Sequence, residues 1–535
     1  MATSLGKLQS KVIKQEQEII ELKDKLADKI EENRFLKLKL EKLEEEFEKK
    51  VDEKVNNAVN KAIALVTEKY DKIIAEKDKR IFELECRLNI NSDNSSLPSS
   101  KDPIYKSKIC NSREKTGEKP GRKTGHKKDG LKYFNDDEVT EIVEHTIDVC
   151  DRCGHHDLDI ENVKVRDEID YEFKIIKRRH KYYEYKCKKC GNIIKSKIPP
   201  ELHGENQYGS GVKTLALTLT NYGFIAYNRT RKIICGLTNG EIDPSEGYLT
   251  KLQKKASDKL QDFAFDVKEK ILKSKLNYWD DTVVKIGEKD KACMRVYTNG
   301  KYTLYKAHIS KDTEGMDEDG ILQNLPSDCT VMHDHLLHNY CDDYSYQNIE
   351  CNAHVSRKLK GISENTKHKW SEEMRNLLES MLSKRDSNLK LKITKFTDKE
   401  IDDFDKQYDE ILERGFKEYI DFKHKYEFQK EENLLEFMRD YKKEITAWVK
   451  DYNLPYSNNL CEQLLRYLKS KMKISYQFKD LKYAQYFANI MTYSQTCERF
   501  GINKVNAFER LFENNPYTIL ELDKLIEKND QDKKN

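Results

Sequence analysis

The stretch NYWDDTVVKIG (277–287), read with ACMRVYTNGKYTLYKAHIS (292–310), CTVMHDH (329–335) and YQNIECNAH (346–354), decides the fold. Short runs of β-branched and aromatic residues predict strands, and Asn299-Gly300 between two of them predicts a hairpin turn. EGMDEDGILQNL (314–325) predicts a helix between the third and fourth strands. This order is an antiparallel three-stranded meander, a helix, then strands that extend the sheet by crossover. In such a sheet Asp280, in the first strand, and Asp334, at the end of the fourth, can sit side by side. An acid inside an otherwise apolar strand costs several kcal/mol unless it is paired or metal-bound, so two of them invite a metal. Asp281 is expected to face the other way, because alternate strand residues point to opposite faces.

The element order is that of the ribonuclease H-like α/β plan, and a third acidic ligand is expected from a later helix. LPYSNNLCEQLLRYLKSKMKISYQFK (454–479) predicts one beginning near Asn459, capped by Ser457 or a neighbouring Asn. Glu462, Arg466, Lys469 and Lys473 recur at intervals of 4, 3 and 4 and share a face, while Leu460, Leu464, Leu465, Leu468 and Met472 supply packing. One acid followed by three cations fits a metal ligand beside phosphate contacts. An ordinary amphipathic helix with i,i+4 ion pairs explains the same stripe without chemistry.

Upstream, Cys150, Cys153, Cys187 and Cys190 form two C-x-x-C pairs separated by 33 residues. Each pair can bring two sulfurs to one tetrahedral zinc, and Gly154 and Gly191 follow where a tight knuckle turns. Four thiolates leave no open position, so the expected Zn²⁺ is structural. EFKIIKRRHKYYEYKC (172–187) reads as a strand of a zinc ribbon. A redox dithiol is the competing chemistry, but it needs one pair rather than two. The other nine of the 13 Cys are scattered, which argues against a disulfide framework.

Charged residues make up 36% of the 535 residues and hydrophobic ones 37%, yet the net charge is only +3. A nucleic-acid partner must therefore be met by local basic patches rather than by a global field. The low apolar fraction has a local origin: Leu8, Val12, Ile19, Leu22, Leu26, Leu36, Leu40, Leu43 and Phe47 fall on a and d positions of one heptad frame. Gln15 and Lys29 take d sites in that frame and Asn33 an a site. The pattern predicts a coiled coil over 5–48, continuing with a phase shift through Val51, Val55, Ala58 and Ala62 to about residue 90, and at least a dimer.

NINSDNSSLPSSKDP (89–103) breaks the helix and predicts a linker. Residues 101–130 carry ten Lys or Arg against four acids. They predict a flexible basic arm whose Lys119, Arg122 and Lys123 lie along phosphates, with a plain solvated linker as the bland reading. No apolar run approaches the roughly 18–20 residues of a membrane span, and MATSLGKLQSKVIKQ lacks a secretory signal, so a cytoplasmic protein with no membrane partner is expected.

The coil, NSDNSSLP (91–98), KPGRKTGH (119–126), the paired C-x-x-C, Asp280-Asp281-Thr282, ECNAH (350–354) and SNNLCEQLLR (457–466) stand in one order. That combination resembles the insertion-sequence 66 family of bacterial DDE transposases across nearly the whole chain. The family's D-E-T matches Asp280-Asp281-Thr282, its second acid matches Asp334 in MHDHLLHNY, and its D-N-N-x-x-E-R matches Ser457 to Gln463. The resemblance thus implies Asp280, Asp334 and Glu462 as the triad. The family's C-x-x-H-x-x-R matches Cys351, His354 and Arg357, and its later basic segment matches Arg466, Lys469, Lys473, Ser475 and Phe478, with Tyr476 where Gly is usual. Gln463 stands where the family has Arg, Ser457 where it has Asp, and the usual glycines after Asp334 are missing.

The resemblance implies phosphoryl transfer on double-stranded DNA, both terminal repeats and target. Two Mg²⁺ (or Mn²⁺) ions about 3.5–4 Å apart would be held by the three carboxylates, Asp280 bridging. It also implies a nucleoid-associated homo-oligomer and leaves companion proteins of the same element open. A catalytically lapsed transposase acting as a zinc-ribbon DNA-binding regulator is the alternative. An RNA-guided or structure-selective nuclease on a related fold is a further alternative; guided nucleases with zinc ribbons usually carry the ribbon among the late catalytic segments, whereas here it precedes Asp280.

The expected architecture is multidomain α+β. An N-terminal coiled coil (5–90) and a basic flexible linker (91–130) precede a zinc-ribbon domain (131–202). A helical DNA-binding region (207–275) follows, compatible with a helix-turn-helix in NRTRKIICGLTNGEIDPSEGYLTKLQKK (228–255) or with plain helical packing. The ribonuclease H-like catalytic core then runs over 276–364 and 453–515, split by a charged helical insertion (365–452), and a charged tail closes the chain (516–535).

Overall fold

The computed structural model describes residues 56–95, 134–199, 204–288, 290–426 and 428–532, with Leu202 and short stretches between 18 and 39. The chain divides into two compact units, one of residues 108–207 and 232–243, the other holding the rest. Most of the heptad positions, including Leu8, Val12, Leu40 and Phe47, lie outside the described residues, as do Lys119, Arg122 and Lys123 of the basic arm.

The smaller unit contains an antiparallel hairpin of β1 (Glu184–Lys186) and β2 (Ile193–Lys195), with Tyr185 opposite Ile194. The strand expected across 172–187 shrinks to its last residues. Only these have a partner, and among residues 134–183 no helix or strand forms.

The larger unit opens with α1 (Asn56–Asn89). Residues 29–35 are helical and lie beside it, Glu32 Oε1 being 2.9 Å from Lys77 Nζ. Asn33 of the expected seam is buried. The stretch after α1 is also more than a linker as far as Ser95. Asn94 is buried, its carboxamide accepts from Asn91 N at 2.9 Å and donates to Asn89 O at 2.8 Å and to Glu364, and its carbonyl lies against Gly361, where a side-chain carbon would collide with it. Asn and Ser side chains close local turns of this kind on their own backbone, so the polar composition here builds structure.

Next come α2 (Ser210–Leu217), one π-helical turn (Thr218–Tyr222), α3 (Tyr227–Leu237), whose part from Lys232 on belongs to the smaller unit, α4 (Glu246–Asp258) and α5 (Gln261–Leu272). Asn239 and Gly240, both at positive φ, break the chain between α3 and α4, and Ser245 Oγ caps α4 by accepting from Tyr248 N at 3.1 Å.

The central sheet follows: β3 (Leu276–Ile286), β4 (Asp290–Thr298) and β5 (Thr303–His308) form the antiparallel meander. After α6 (Thr313–Asp319) the chain returns to lay β6 (Thr330–His333) parallel to β3, and β7 (Gln347–Glu350) parallel to β6. The strand order is β5-β4-β3-β6-β7, a mixed sheet compatible with a ribonuclease H-like domain. Then come α7 (Asn352–Thr366), α8 (Lys369–Lys390), α9 (Asp398–Tyr426), α10 (Gln429–Asp440) and α11 (Lys442–Lys450), which share a core around Trp370, Tyr408, Leu435 and Trp448.

The chain finally returns to the sheet through α12 (Asn459–Ser475) and α13 (Leu481–Arg499), followed by α14 (Lys504–Phe512) and α15 (Ile519–Asp532). One sheet face, with Val284, Ile286, Met294, Val296 and Tyr305, packs against Leu464, Leu465 and Leu468 of α12 and Phe487 of α13. Each such buried side chain contributes about 1.5–3 kcal/mol. Edge strand β5 is protected as well: Tyr305 N donates to Thr492 Oγ1 at 2.9 Å and Thr303 N to Thr496 Oγ1 at 3.2 Å. No helix of the described residues is long and apolar enough to cross a membrane.

Candidate active site

Strands β3 and β6 pair with Leu276 opposite Thr330 and Tyr278 opposite Met332. Carried on by two residues, this register sets Asp334 level with Asp280. The two-residue period puts Asp280 on the face of Val284 and Ile286, the face that α12 covers. Asp281, on the opposite face, pairs with Lys311 at 2.7 Å.

Burial, and then the negative charge of Asp334, hold the Asp280 carboxyl well above the usual carboxylate range, with Lys469 acting against them. Two carboxylates in this relation repel each other until a cation is added between them.

The start of α12 is stitched to the sheet. Asn458 Nδ2 donates to Trp279 O at 2.8 Å, Asn458 N to Cys351 Sγ at 3.2 Å, and Asn352 N to Tyr456 O at 3.0 Å. The expected side-chain cap of this helix is therefore not made: Asn458 occupies the cap position, but its carboxamide is committed to β3. Glu462 follows one turn later.

His354, in the first turn of α7, spans the gap between the acids. Its Nδ1 lies 2.8 Å from Asp334 Oδ1 and its Nε2 3.9 Å from Glu462 Oε1. Arg357, one turn on, donates from Nη2 to the same Glu462 oxygen at 3.2 Å. Asp334 Oδ1 and His354 Nδ1 are both sealed from solvent, and their close approach lacks hydrogen-bond alignment. Buried polar atoms without a bonding partner call for a reason, and a cation shared by the two would be one.

Asp334, Cys351 and His354 place one ligand atom each within 4.8 Å of one another. Burial and the charge of Asp334 push the Cys351 thiol up to about 12. A protonated sulfur that accepts a backbone N–H clamps the α7 and α12 starts together and is a poor ligand for a hard cation. The donors left are carboxylate oxygens and one imidazole nitrogen, which suit Mg²⁺ or Mn²⁺.

Of the sequence-predicted residues, Asp280 and Asp334 thus come together, His354 links Asp334 to Glu462, and Lys469 acts on Asp280, while Arg466, Lys469 and Lys473 are all exposed on α12. The clamp of Cys351 and Asn458 escaped the sequence reading, since nothing local to either residue announces a contact 107 positions away.

In the smaller unit both cysteine pairs form knuckles. Gly154 N donates to Cys150 O at 2.9 Å and Gly191 N to Cys187 O at 2.8 Å, and both glycines have φ +73°, a left-handed conformation that favours Gly. Backbone N–H groups within each knuckle pull the Cys150 and Cys187 thiols below their ordinary value. Among the described residues the four sulfurs are not gathered at metal-ligand spacing.

The sheet thus bears adjacent acids, and a returning helix brings a third acid toward them. The family described as Transposase IS66 family matches residues 206–486, more than half of the chain, and the chain belongs to that family of DDE transposases. The matched span includes the acids, His354, Arg357 and the cations of α12; the paired cysteines lie before it. Neither a curated protein nor a solved structure matches the chain.

Proposed function

We propose that the protein cuts and joins DNA at the ends of its own insertion sequence, with Asp280, Asp334 and Glu462 as the catalytic triad. The observation that carries this reading is the register of β3 with β6, which sets two acids side by side on the face to which α12 brings the third. Divalent cations bound there supply the positive charge that activates water and stabilises the phosphate being cut. In this reading Asp280 is the ligand shared between the metal sites, Asp334 and Glu462 each complete one of them, and His354 and Arg357 hold Glu462 in place. Lys469 adds a fixed positive charge beside Asp280, and Arg466 and Lys473 continue the same helix face as contacts for the phosphate backbone. Cys150, Cys153, Cys187 and Cys190 are proposed to hold a structural zinc, whose ribbon binds the terminal repeats together with the basic arm.

The test is a mobility assay in cells that carry the protein and a marked DNA segment flanked by the terminal repeats of its element. Movement of the segment with wild-type protein and its loss with Asp334→Asn supports the proposal. Equal movement in both would rule out the triad.

A further inference from the structure

A cavity of about 650 Å³ opens between α12 and α13, with Gln463, Arg466, Tyr467, Gln495 and Arg499 among its walls. It borders the carboxylate site, because Arg466 stands one turn beyond Glu462 on the same helix face. Its size lies in the roughly 300–1,000 Å³ range of small-ligand sites.

Its charge is unbalanced. Arg466 and Arg499 make no ion pair among the described residues. The acid in the wall, Glu498, is neutralised by Lys504 at 2.8 Å, and that ammonium lies over the rings of Tyr222 and Tyr467 at 4.7 and 4.5 Å from their centroids. What the cavity offers a ligand is therefore two free guanidiniums, the carboxamide of Gln463 and an aromatic wall. Guanidiniums bind phosphate in a bidentate fork, and a carboxamide reads the edge of a base. That combination is the chemistry of a single nucleotide, whose base edge is free for a carboxamide when the base is unpaired.

We propose that the cavity holds one unpaired nucleotide of the DNA strand next to the scissile phosphate, with Arg466 and Arg499 on its phosphates and Gln463 on its base. The proposal rests on the transposase reading, and it gives Gln463 a base-reading role.

The experiment measures binding by fluorescence anisotropy in Ca²⁺, using full-length protein and terminal-repeat duplexes that are blunt or carry a short single-stranded overhang. The expected result is roughly tenfold tighter binding of the overhang duplex, the size of one base contact. Arg499→Ala and Gln463→Ala, both at exposed positions, erase that preference and leave blunt-duplex affinity unchanged. Equal binding of the two duplexes by wild-type protein that still cleaves DNA in Mg²⁺ overturns the inference and leaves the transposase reading standing. Absence of cleavage alongside a clear overhang preference overturns the transposase reading instead. If a free deoxynucleoside monophosphate binds the cavity and no overhang preference exists, the ligand is a free nucleotide and the strand assignment fails.

Discussion

The imidazole Nδ1 of His354 lies 2.8 Å from Asp334 Oδ1, while its Nε2 lies 3.9 Å from Glu462 Oε1. One ring thereby joins an acid at the end of β6 to an acid on α12. Groups that orient metal ligands typically cost about 10–100-fold in metal affinity when removed. His354→Ala is expected to weaken Mn²⁺ binding by that order, measured by calorimetry on the metal-free protein. Unchanged affinity would deny the imidazole a place at the site.

The negative charge of Asp334 disfavours ionised Asp280 when no cation is present. Asp280→Asn removes one charge without changing shape. It is expected to raise the melting temperature in chelator by a few degrees and to abolish the further rise that Mn²⁺ gives the wild type. Scanning calorimetry with and without Mn²⁺ reads both effects, and a lower melting temperature in chelator would contradict the repulsion.

Lys471 is buried on α12, and burial alone pulls its ammonium down to about 8. A lysine whose folded value is depressed is protonated more readily in the unfolded chain, so the penalty is complete below pH 8 and fades as pH rises toward about 10.5. Wild-type stability is therefore expected to gain over that window. Lys471→Met should be more stable at pH 7, by an amount on the order of 1–3 kcal/mol, and should show a flatter profile above pH 8. Denaturant melts at pH 7 and pH 10 test the sign; a wild type that loses stability relative to the variant across this window contradicts it.

The cysteine pairs predict one zinc per chain. Elemental analysis of protein purified without chelator is expected to find it, and Cys153→Ser or Cys187→Ser to lose it. Zinc-free protein with four titratable thiols would remove the ribbon.

The candidate residues of the site were legible in the sequence because their signals are local. Asp280 interrupts a strand of apolar residues, and the stripe from Glu462 to Lys473 needs only the helical period. The packing of Leu464, Leu465 and Leu468 on the sheet follows from the same period. What stayed hidden depends on contacts distant in sequence. Asn458 looks like a cap until β3 supplies a carbonyl for its carboxamide. Asn94 belongs to a stretch with the composition of a linker, yet it docks because Gly361 leaves room. The heptad seam falls on helix where it is described, but periodicity does not name the partner, and residues 29–35 lie beside α1 of the same chain.

The most direct measurement incubates purified protein with labelled DNA carrying the terminal repeats and Mg²⁺ or Mn²⁺, comparing wild type with Asp280→Asn and Glu462→Gln. The account predicts metal-dependent nicking at the repeat ends by the wild type alone, with DNA binding retained by all three proteins. Nicking that survives either substitution, or its absence from the wild type even with cell extract added, would contradict it.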